Sequence, residues 1–309
     1  MKSFSAPEDL LLSKHNIKVF EPSREILQTS SVVVEDENNR SVGYGVLVSE
    51  EGFVFTKASM LEDLGDYSVR IDKKVIDCKV VKTDVKWDLA ILKFDLNHSG
   101  VPVKFASSLP QIGELITCNG VTSLLKRRAK FGVISANQRE IPAKVSALDF
   151  YASFEEESGW SVEELFEDGK SEAAGLLVGD RILAVEGVST DDDSKSLFDY
   201  FINKWPGDTA NILIQRGEEK LELSIPYQWR HELFPKAIDR NEAMSGRISG
   251  RRTGFPQVIQ HDIVLSQRSM GGPVLNLEGE CVGMNIARFS RAETYAIPAT
   301  VMLEILNSL

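Results

Sequence analysis

The feature that most constrains this chain is a rhythm of short, β-branched runs broken by tight turn signals. Ser31–Glu35 reads SVVVE, Asp36-Glu37-Asn38-Asn39 forms a turn cluster, residues 42–48 resume the apolar run, Glu51-Gly52 turns it, and residues 53–56 follow. Residues 67–71, 75–82 and 89–94 keep the same spacing. Short strands in close succession predict an antiparallel barrel or sandwich rather than βαβ units.

A second strand group opens at residues 113–120 and 129–137, breaks off, and resumes at 257–262, 273–277, 280–287 and 294–297. The segment between reads differently. It carries a strand over 159–166, a short helix over 171–174 closed by Gly175, and a strand over 181–185. An amphipathic helix is predicted over 191–205, with Leu197, Phe198, Phe201, Ile202 and Trp205 on one face. Asp191, Asp192 and Asp193 offer N-cap oxygens and Pro206-Gly207 ends it. Strands over 210–216 and 220–225 meet at Gly217-Glu218. The expected organisation is an N-terminal arm with a short helix (1–29), a first barrel (30–105), the first part of a second barrel (106–145), an α+β insert (146–227), a return linker (228–254) and the rest of the second barrel (255–309).

Composition narrows the classes of function. A formal charge of −11 argues against nucleic acid as the main partner, because phosphate binding needs an excess of clustered cations. At 42% apolar residues the chain has material for real cores. No apolar run approaches the roughly 18 residues of a membrane span, and residues 1–30 lack the pattern of a signal peptide. Cys78, Cys118 and Cys281 are odd in number and far apart, and each reads as a buried thiol in a strand. The four histidines (His15, His98, His231 and His261) are equally scattered, so neither a metal site nor a cofactor is expected.

Several motifs carry a resemblance. Gly43-Tyr44-Gly45, Gly52-Phe53-Val54-Phe55-Thr56, Asp88-Leu89-Ala90-Ile91-Leu92-Lys93, Gly271-Gly272-Pro273-Val274-Leu275-Asn276, residues 279–285 (GECVGMN) and Ala296-Ile297-Pro298 occur in order and at characteristic spacing. Together they resemble the trypsin-like domain of HtrA-type (Deg-type) serine proteases. Residues 171–175, the run 178–187 (VGDRILAVEG) and Pro206-Gly207-Asp208 resemble the PDZ domain of the same family. That family usually places its PDZ domain after the protease domain, whereas here the module interrupts the second barrel. The resemblance implies a mainly β fold, a trypsin-like double antiparallel β-barrel with an inserted PDZ-like domain.

It also implies a Ser-His-Asp triad, and two of its three positions are altered. The histidine position of the T-x-x-H pattern holds Ser59, the aspartate of D-L-A is Asp88, and the nucleophile position before Gly-Gly-Pro holds Met270. A hydroxyl nucleophile needs a base poised near neutral pH, which imidazole supplies and the Ser59 hydroxyl does not. The Met270 thioether carries no proton and cannot form an acyl intermediate. Arg268 stands where the family has a glycine whose N–H helps form the oxyanion hole. Ser269 adjoins the nucleophile position but points elsewhere on a tight turn, and His261 reads as an ordinary surface or pocket-lining residue. The expectation is an inactive homologue of a serine endopeptidase, acting as a peptide- or protein-binding or scaffolding module through its PDZ-like domain and vacant protease cleft. Two alternatives stay open: an active endopeptidase with unorthodox residues, and a purely structural assembly subunit.

What remains is binding. PDZ domains add a peptide strand to a sheet edge beside a helix and receive its carboxylate on backbone N–H groups. Tyr151-Ala152-Ser153-Phe154 is the best match to the carboxylate loop, with Ser153 in place of glycine and Glu155, Glu156 and Glu157 just beyond. The groove is expected between strand 159–166 and helix 194–205, with Tyr151, Phe154, Val162, Leu197, Phe198 and Phe201 as peptide-binding residues. The expected partner is a peptide or protein segment, with homo-oligomerisation as a further implication of the resemblance. Lys126-Arg127-Arg128 and Arg247, Arg251 and Arg252 read as solvated loops or, alternatively, as a docking patch for an acidic protein. The resemblance points to the periplasm or cell envelope.

Overall fold

The computed structural model describes residues 21–61, 65–71, 74–95, 100–120, 128–144, 146–156, 159–191, 195–234 and 246–309. The chain divides into two compact units, one of Met1–Glu140 with Asp239–Leu309 and one of Ile141–Ile238. The second runs beyond the predicted insert at both ends.

In the first unit, β1 (Ser31–Glu35), β2 (Ser41–Leu47), β3 (Phe53–Lys57), β4 (Tyr67–Ile71), β5 (Lys74–Asp84) and β6 (Leu89–Lys93) close an antiparallel barrel in the order β1-β2-β3-β6-β5-β4. Val32, Val34, Leu47, Val54, Val69 and Leu92 fill it. β-branched and leucine side chains suit the pleated interior of a closed sheet, where no edge remains to be covered. β7 (Leu115–Gly120) and β8 (Arg128–Ile141) then begin a second barrel.

The insert follows. Its strands are β9 (Ser146–Ala147), β10 (Phe150–Glu155), β11 (Gly159–Leu165), β12 (Arg181–Val185), β13 (Val188–Ser189), β14 (Thr209–Arg216), β15 (Glu219–Pro226) and β16 (Gln228–Trp229). The main sheet runs β10-β11-β12-β14-β15, with β13 on β12, while β16 pairs with β9. Phe150, Val162, Leu176, Ile182, Leu197, Phe201 and Ile214 form its core. Asp180 anchors the Gly-Asp motif: it accepts the Leu177 N–H (2.8 Å) and a two-pronged pair of bonds from Arg216 (both 2.7 Å), so the turn ahead of β12 is tied to β14.

After the insert, β17 (Phe255–His261), β18 (Pro273–Leu275), β19 (Cys281–Arg288) and β20 (Thr294–Pro298) complete the second barrel in the order β17-β20-β19-β18-β7-β8. Strands from both sides of the insert therefore share one barrel, as the split pattern predicts. The fold is mainly β, a pair of closed six-stranded antiparallel barrels interrupted by an α+β module.

Three readings are corrected and one element is added. The helix predicted over 191–205 is a single 3-10 turn, Leu197–Phe201, capped by Ser196 and Asp199. Ile202 is already extended and Asn203 takes a φ of 62°, so the turn cannot propagate, and aromatic residues add little helical propensity. The caps expected at Asp192 and Asp193 lie outside the described residues, as do residues 1–20 of the N-terminal arm. Tyr151-Ala152-Ser153-Phe154, read as a loop, belongs to β10 and pairs with β11 along its length. β11 is accordingly an interior strand and the sheet edge is β10. Third, the return linker contains structure: β16 leads directly into a one-turn helix, Arg230–Leu233. Finally, a C-terminal helix, Ala299–Asn307, follows Pro298 and buries Ala299, Val301 and Met302.

Burial makes a prediction about the insert. Val162 is 1% exposed within the core, so Val162→Arg forces an unpaired charge into an apolar interior. It is expected to lower stability by at least ~3 kcal/mol. Urea unfolding followed through Trp160, which packs on that core, checks this, and a parental midpoint would contradict it.

Candidate functional site

Lys57 closes β3, and the chain then makes a 3-10 turn, Ala58–Met60, that carries Ser59. Asp88 precedes β6 in a left-handed conformation (φ 55°), which a short polar side chain tolerates. The two strand ends meet because Lys57 pairs with Leu89 across the sheet, and the Ala58 N–H donates to the Asp88 carbonyl (2.8 Å). The Asp88 carboxylate then collects three donors. Ser59 gives its N–H to Oδ1 (2.7 Å) and its hydroxyl to Oδ2 (3.0 Å), while the Lys57 ammonium bonds Oδ2.

Lys57 is buried, and loss of solvent pushes its pKa below the usual lysine value while Asp88 opposes that shift. The Lys57 Nζ also reaches the Arg251 carbonyl (3.4 Å) and lies 5.9 Å from the Phe255 ring centre. Arg251 itself is buried. Its guanidinium donates to the carbonyls of Val85, Lys86 and Gly254 and lies over Phe255, which pins the turn leading into Asp88. The reading of Arg251 as part of a solvated or docking cluster is thereby corrected; Lys126 and Arg127 and the side chain of Arg128 lie outside the described residues. Sequence reasoning missed Lys57. The available signal was a lysine ending an apolar strand, two residues from Ser59 and opposite an expected carboxylate.

Met270 follows the 3-10 turn Gln267–Ser269. Its side chain is fully buried among Ile116, Ile134, Ile259 and Leu265. Its N–H donates to the Gln267 carbonyl (3.1 Å), and its own carbonyl accepts the Tyr44 N–H (3.0 Å). Gly271 has a φ of 80°, and a Cβ there would lie 2.0 Å from the Tyr44 carbonyl oxygen, so only glycine fits. A Cβ on Gly43 would meet Met60 and the Met270 carbonyl together, which places the Ser59–Met60 end and Met270 against the same stretch of β2. Arg268 is exposed within the 3-10 turn, a conformation any side chain accepts. Ser269 is buried, with its hydroxyl 3.2 Å from that of Ser266.

The cluster thus offers a hydroxyl bonded to a carboxylate that an ammonium already neutralises. Two backbone N–H groups near the nucleophile position are internally consumed, Ser269 on Ser266 and Met270 on Gln267. A methionine thioether can neither attack as a hydroxyl does nor take up a hydroxyl proton at neutral pH. The cysteines offer no substitute, since burial pushes the thiols of Cys78, Cys118 and Cys281 up to about 12. Among the described residues, no group of three or more His, Cys, Asp or Glu side chains could hold a metal ion.

His261 corrects its reading as a surface or pocket-lining residue, for it is fully buried at the end of β17. Nδ1 accepts the Ile263 N–H (3.2 Å), so the proton sits on Nε2, which donates to Asn285 Oδ1 (2.7 Å). Burial pushes its pKa down to about 4, against weaker opposing pulls from Asn285 and Asp262. The unfolded chain takes up this proton near pH 6.5 and the folded chain only near 4. The native state therefore keeps the full benefit above pH ~6.5 and loses it as the pH falls towards 4, by on the order of 3 kcal/mol. His261→Gln, which keeps an N–H for Asn285, is expected to flatten the fall in melting temperature between pH 7 and 4. An unchanged pH profile would contradict the assignment.

In the insert, the predicted groove residues separate into two sets. Val162, Leu197 and Phe201 are core, at 1%, 6% and 3% exposure, and Phe154 packs edge-on to Trp160. Tyr151 and Phe198 are at the surface, 47% and 37% exposed. The Tyr151-to-Phe154 segment is an extended strand, so it does not form a loop of converging N–H groups. Glu155 and Glu156 are exposed at its end, and Glu157 lies outside the described residues.

Residues 153–226 match the PDZ domain. Curated relatives include a probable periplasmic serine endoprotease DegP-like from Halomonas elongata, 29% identical over 110 residues (35% of this chain, 23% of that protein). A protein of the same description from Pseudomonas fulva is 26% identical over 104 residues (33% and 22%). The chain thus spans less than a quarter of the curated relatives it matches. Among solved structures, the serine endoprotease from Yersinia pestis is 18% identical with a TM-score of 0.43, covering 68% of this chain and 97% of that one. The residues that match the PDZ domain lie in the insert that interrupts the second barrel.

Proposed function

We propose that this chain is an HtrA-type pseudoprotease, a peptide- or protein-binding module whose protease-like unit no longer cleaves. The observation that carries the reading is the state of Asp88: its carboxylate is committed to Lys57 and Ser59, with Met270 buried at the nucleophile position. Ser59, Asp88 and Met270 are read as the degenerate triad positions and Arg268 as the degenerate oxyanion-hole position. The PDZ match supports peptide binding, and β10, the terminal strand of the sheet among the described residues, with Tyr151 and Phe198 beside it, is the surface we assign to it. An extended peptide adds there as a further strand, drawing affinity from backbone pairing and selectivity from the aromatic side chains. The periplasmic description of the relatives supports a periplasmic or envelope location. No helix among the described residues is long and apolar enough to cross a membrane.

The test is proteolysis by purified protein. Fluorescent casein and a serine-directed fluorophosphonate probe are expected to give no inhibitor-sensitive turnover and no labelled serine. Turnover that Asp88→Ala abolishes would overturn the reading. Ser59→His with Met270→Ser is expected to remain silent, since the N–H of residue 270 stays on Gln267 and Lys57 still holds Asp88.

A further inference from the structure

The predicted groove is not empty: a side chain of the same molecule sits against it. β16 runs into the one-turn helix Arg230–Leu233 and delivers Phe234, half-buried, onto the insert's aromatic surface. Its ring lies 5.4 Å from Tyr151 on the edge strand β10, 5.4 Å from Phe166 and 5.9 Å from Phe198 on the 3-10 turn. All three contacts are edge-to-face, with interplanar angles of 80°, 68° and 86°, the arrangement that aromatic rings favour. Arg230 holds the same turn, its guanidinium 4.1 Å over the Phe198 ring.

Three facts mark this segment as a lodger rather than as part of the module's core. The PDZ match ends at residue 226, before it begins. The core of the insert is complete without it, since Phe150, Val162, Leu197, Phe201 and Tyr227 are buried against one another and Phe234 is not among them. Tyr151 and Phe198 stay partly exposed even with Phe234 in place, so the surface is larger than its occupant.

We propose that Phe234 is the resident occupant of the side-chain pocket between β10 and the Leu197–Phe201 turn, and that the insert takes peptides presenting an aromatic residue there once Arg230–Phe234 has been displaced. This rests on the reading of the insert as a peptide binder and adds to it a ligand class and a built-in competitor. Backbone pairing on the β10 edge supplies affinity for any extended segment, whereas the three-ring pocket selects a flat side chain. Because only molecules with the segment lifted can bind, the apparent affinity of the parent is lowered by the fraction that is open.

The experiment uses the full chain and a fluorescein-labelled heptapeptide of its own residues 228–234 (QWRHELF), with counterparts ending in Ala and in Leu. Fluorescence anisotropy on the parent and on Phe234→Ala is expected to show binding at least ten-fold tighter in the variant, with the Phe-ending peptide ahead of both counterparts. Adding Tyr151→Ala and Phe198→Ala to Phe234→Ala is expected to remove that gain. Equal affinity in parent and Phe234→Ala overturns the internal occupant and leaves peptide binding standing. A Phe234→Ala chain that melts like the parent and binds none of the three peptides overturns both. Where Phe234→Ala melts early, Arg230→Ser loosens the same segment and is expected to tighten binding a few-fold; unchanged affinity there counts against the occupant equally.

Discussion

The pair formed by the Lys57 ammonium and the Asp88 carboxylate is the interaction on which the protease-like unit turns. Both groups are withdrawn from water at the point where β3 and β6 end, and the register that pairs Lys57 with Leu89 brings them together. Removing one member of such a pair leaves a charge stranded in a poorly solvated site, which is far worse than never having placed the pair there. The surroundings reinforce it. Arg251 ties down the Val85 and Lys86 carbonyls just before Asp88, and Ser59 supplies two further bonds to the carboxylate.

The same pair bears on function. A triad aspartate orients and stabilises an imidazole. In the proposed reading Asp88 stands at that aspartate position, where its carboxylate bonds a cation from the adjacent strand β3, and Met270, at the proposed nucleophile position, is part of the core of the second barrel. In our reading the unit has exchanged a strained reactive site for a satisfied one, and the molecule's remaining chemistry is recognition by the insert. Gly271 and Gly43 allow the close backbone approach around Tyr44 and the Met270 carbonyl.

Much of this was legible in the sequence. The β-branched runs gave the barrels because short strands in a closed sheet need little beyond alternating burial and turn chemistry. The split of the second barrel was visible because residues 257–262 and the runs after them resumed a pattern left at Asn137. Three features were not legible, each for a physical reason. Leu197, Phe198, Phe201 and Trp205 share a helical face, but Ile202 and Asn203 leave the helical region and stop the turn. The strand Phe150–Glu155 is half-buried and runs into Glu155-Glu156-Glu157, so no strong periodicity announces it. Lys57 was invisible because lysine in a sequence reads as surface; only the carboxylate opposite makes its burial tolerable.

The most direct test of this account is a double-mutant cycle on the buried pair. Urea denaturation of the parent, Lys57→Met, Asp88→Asn and the double variant gives the coupling between the two side chains. The account predicts that Lys57→Met alone costs about 3–5 kcal/mol and that adding Asp88→Asn restores most of it, as expected for a desolvated pair. A coupling under ~1 kcal/mol, the range of an exposed ion pair, would contradict it, because Asp88 would then be free for other work.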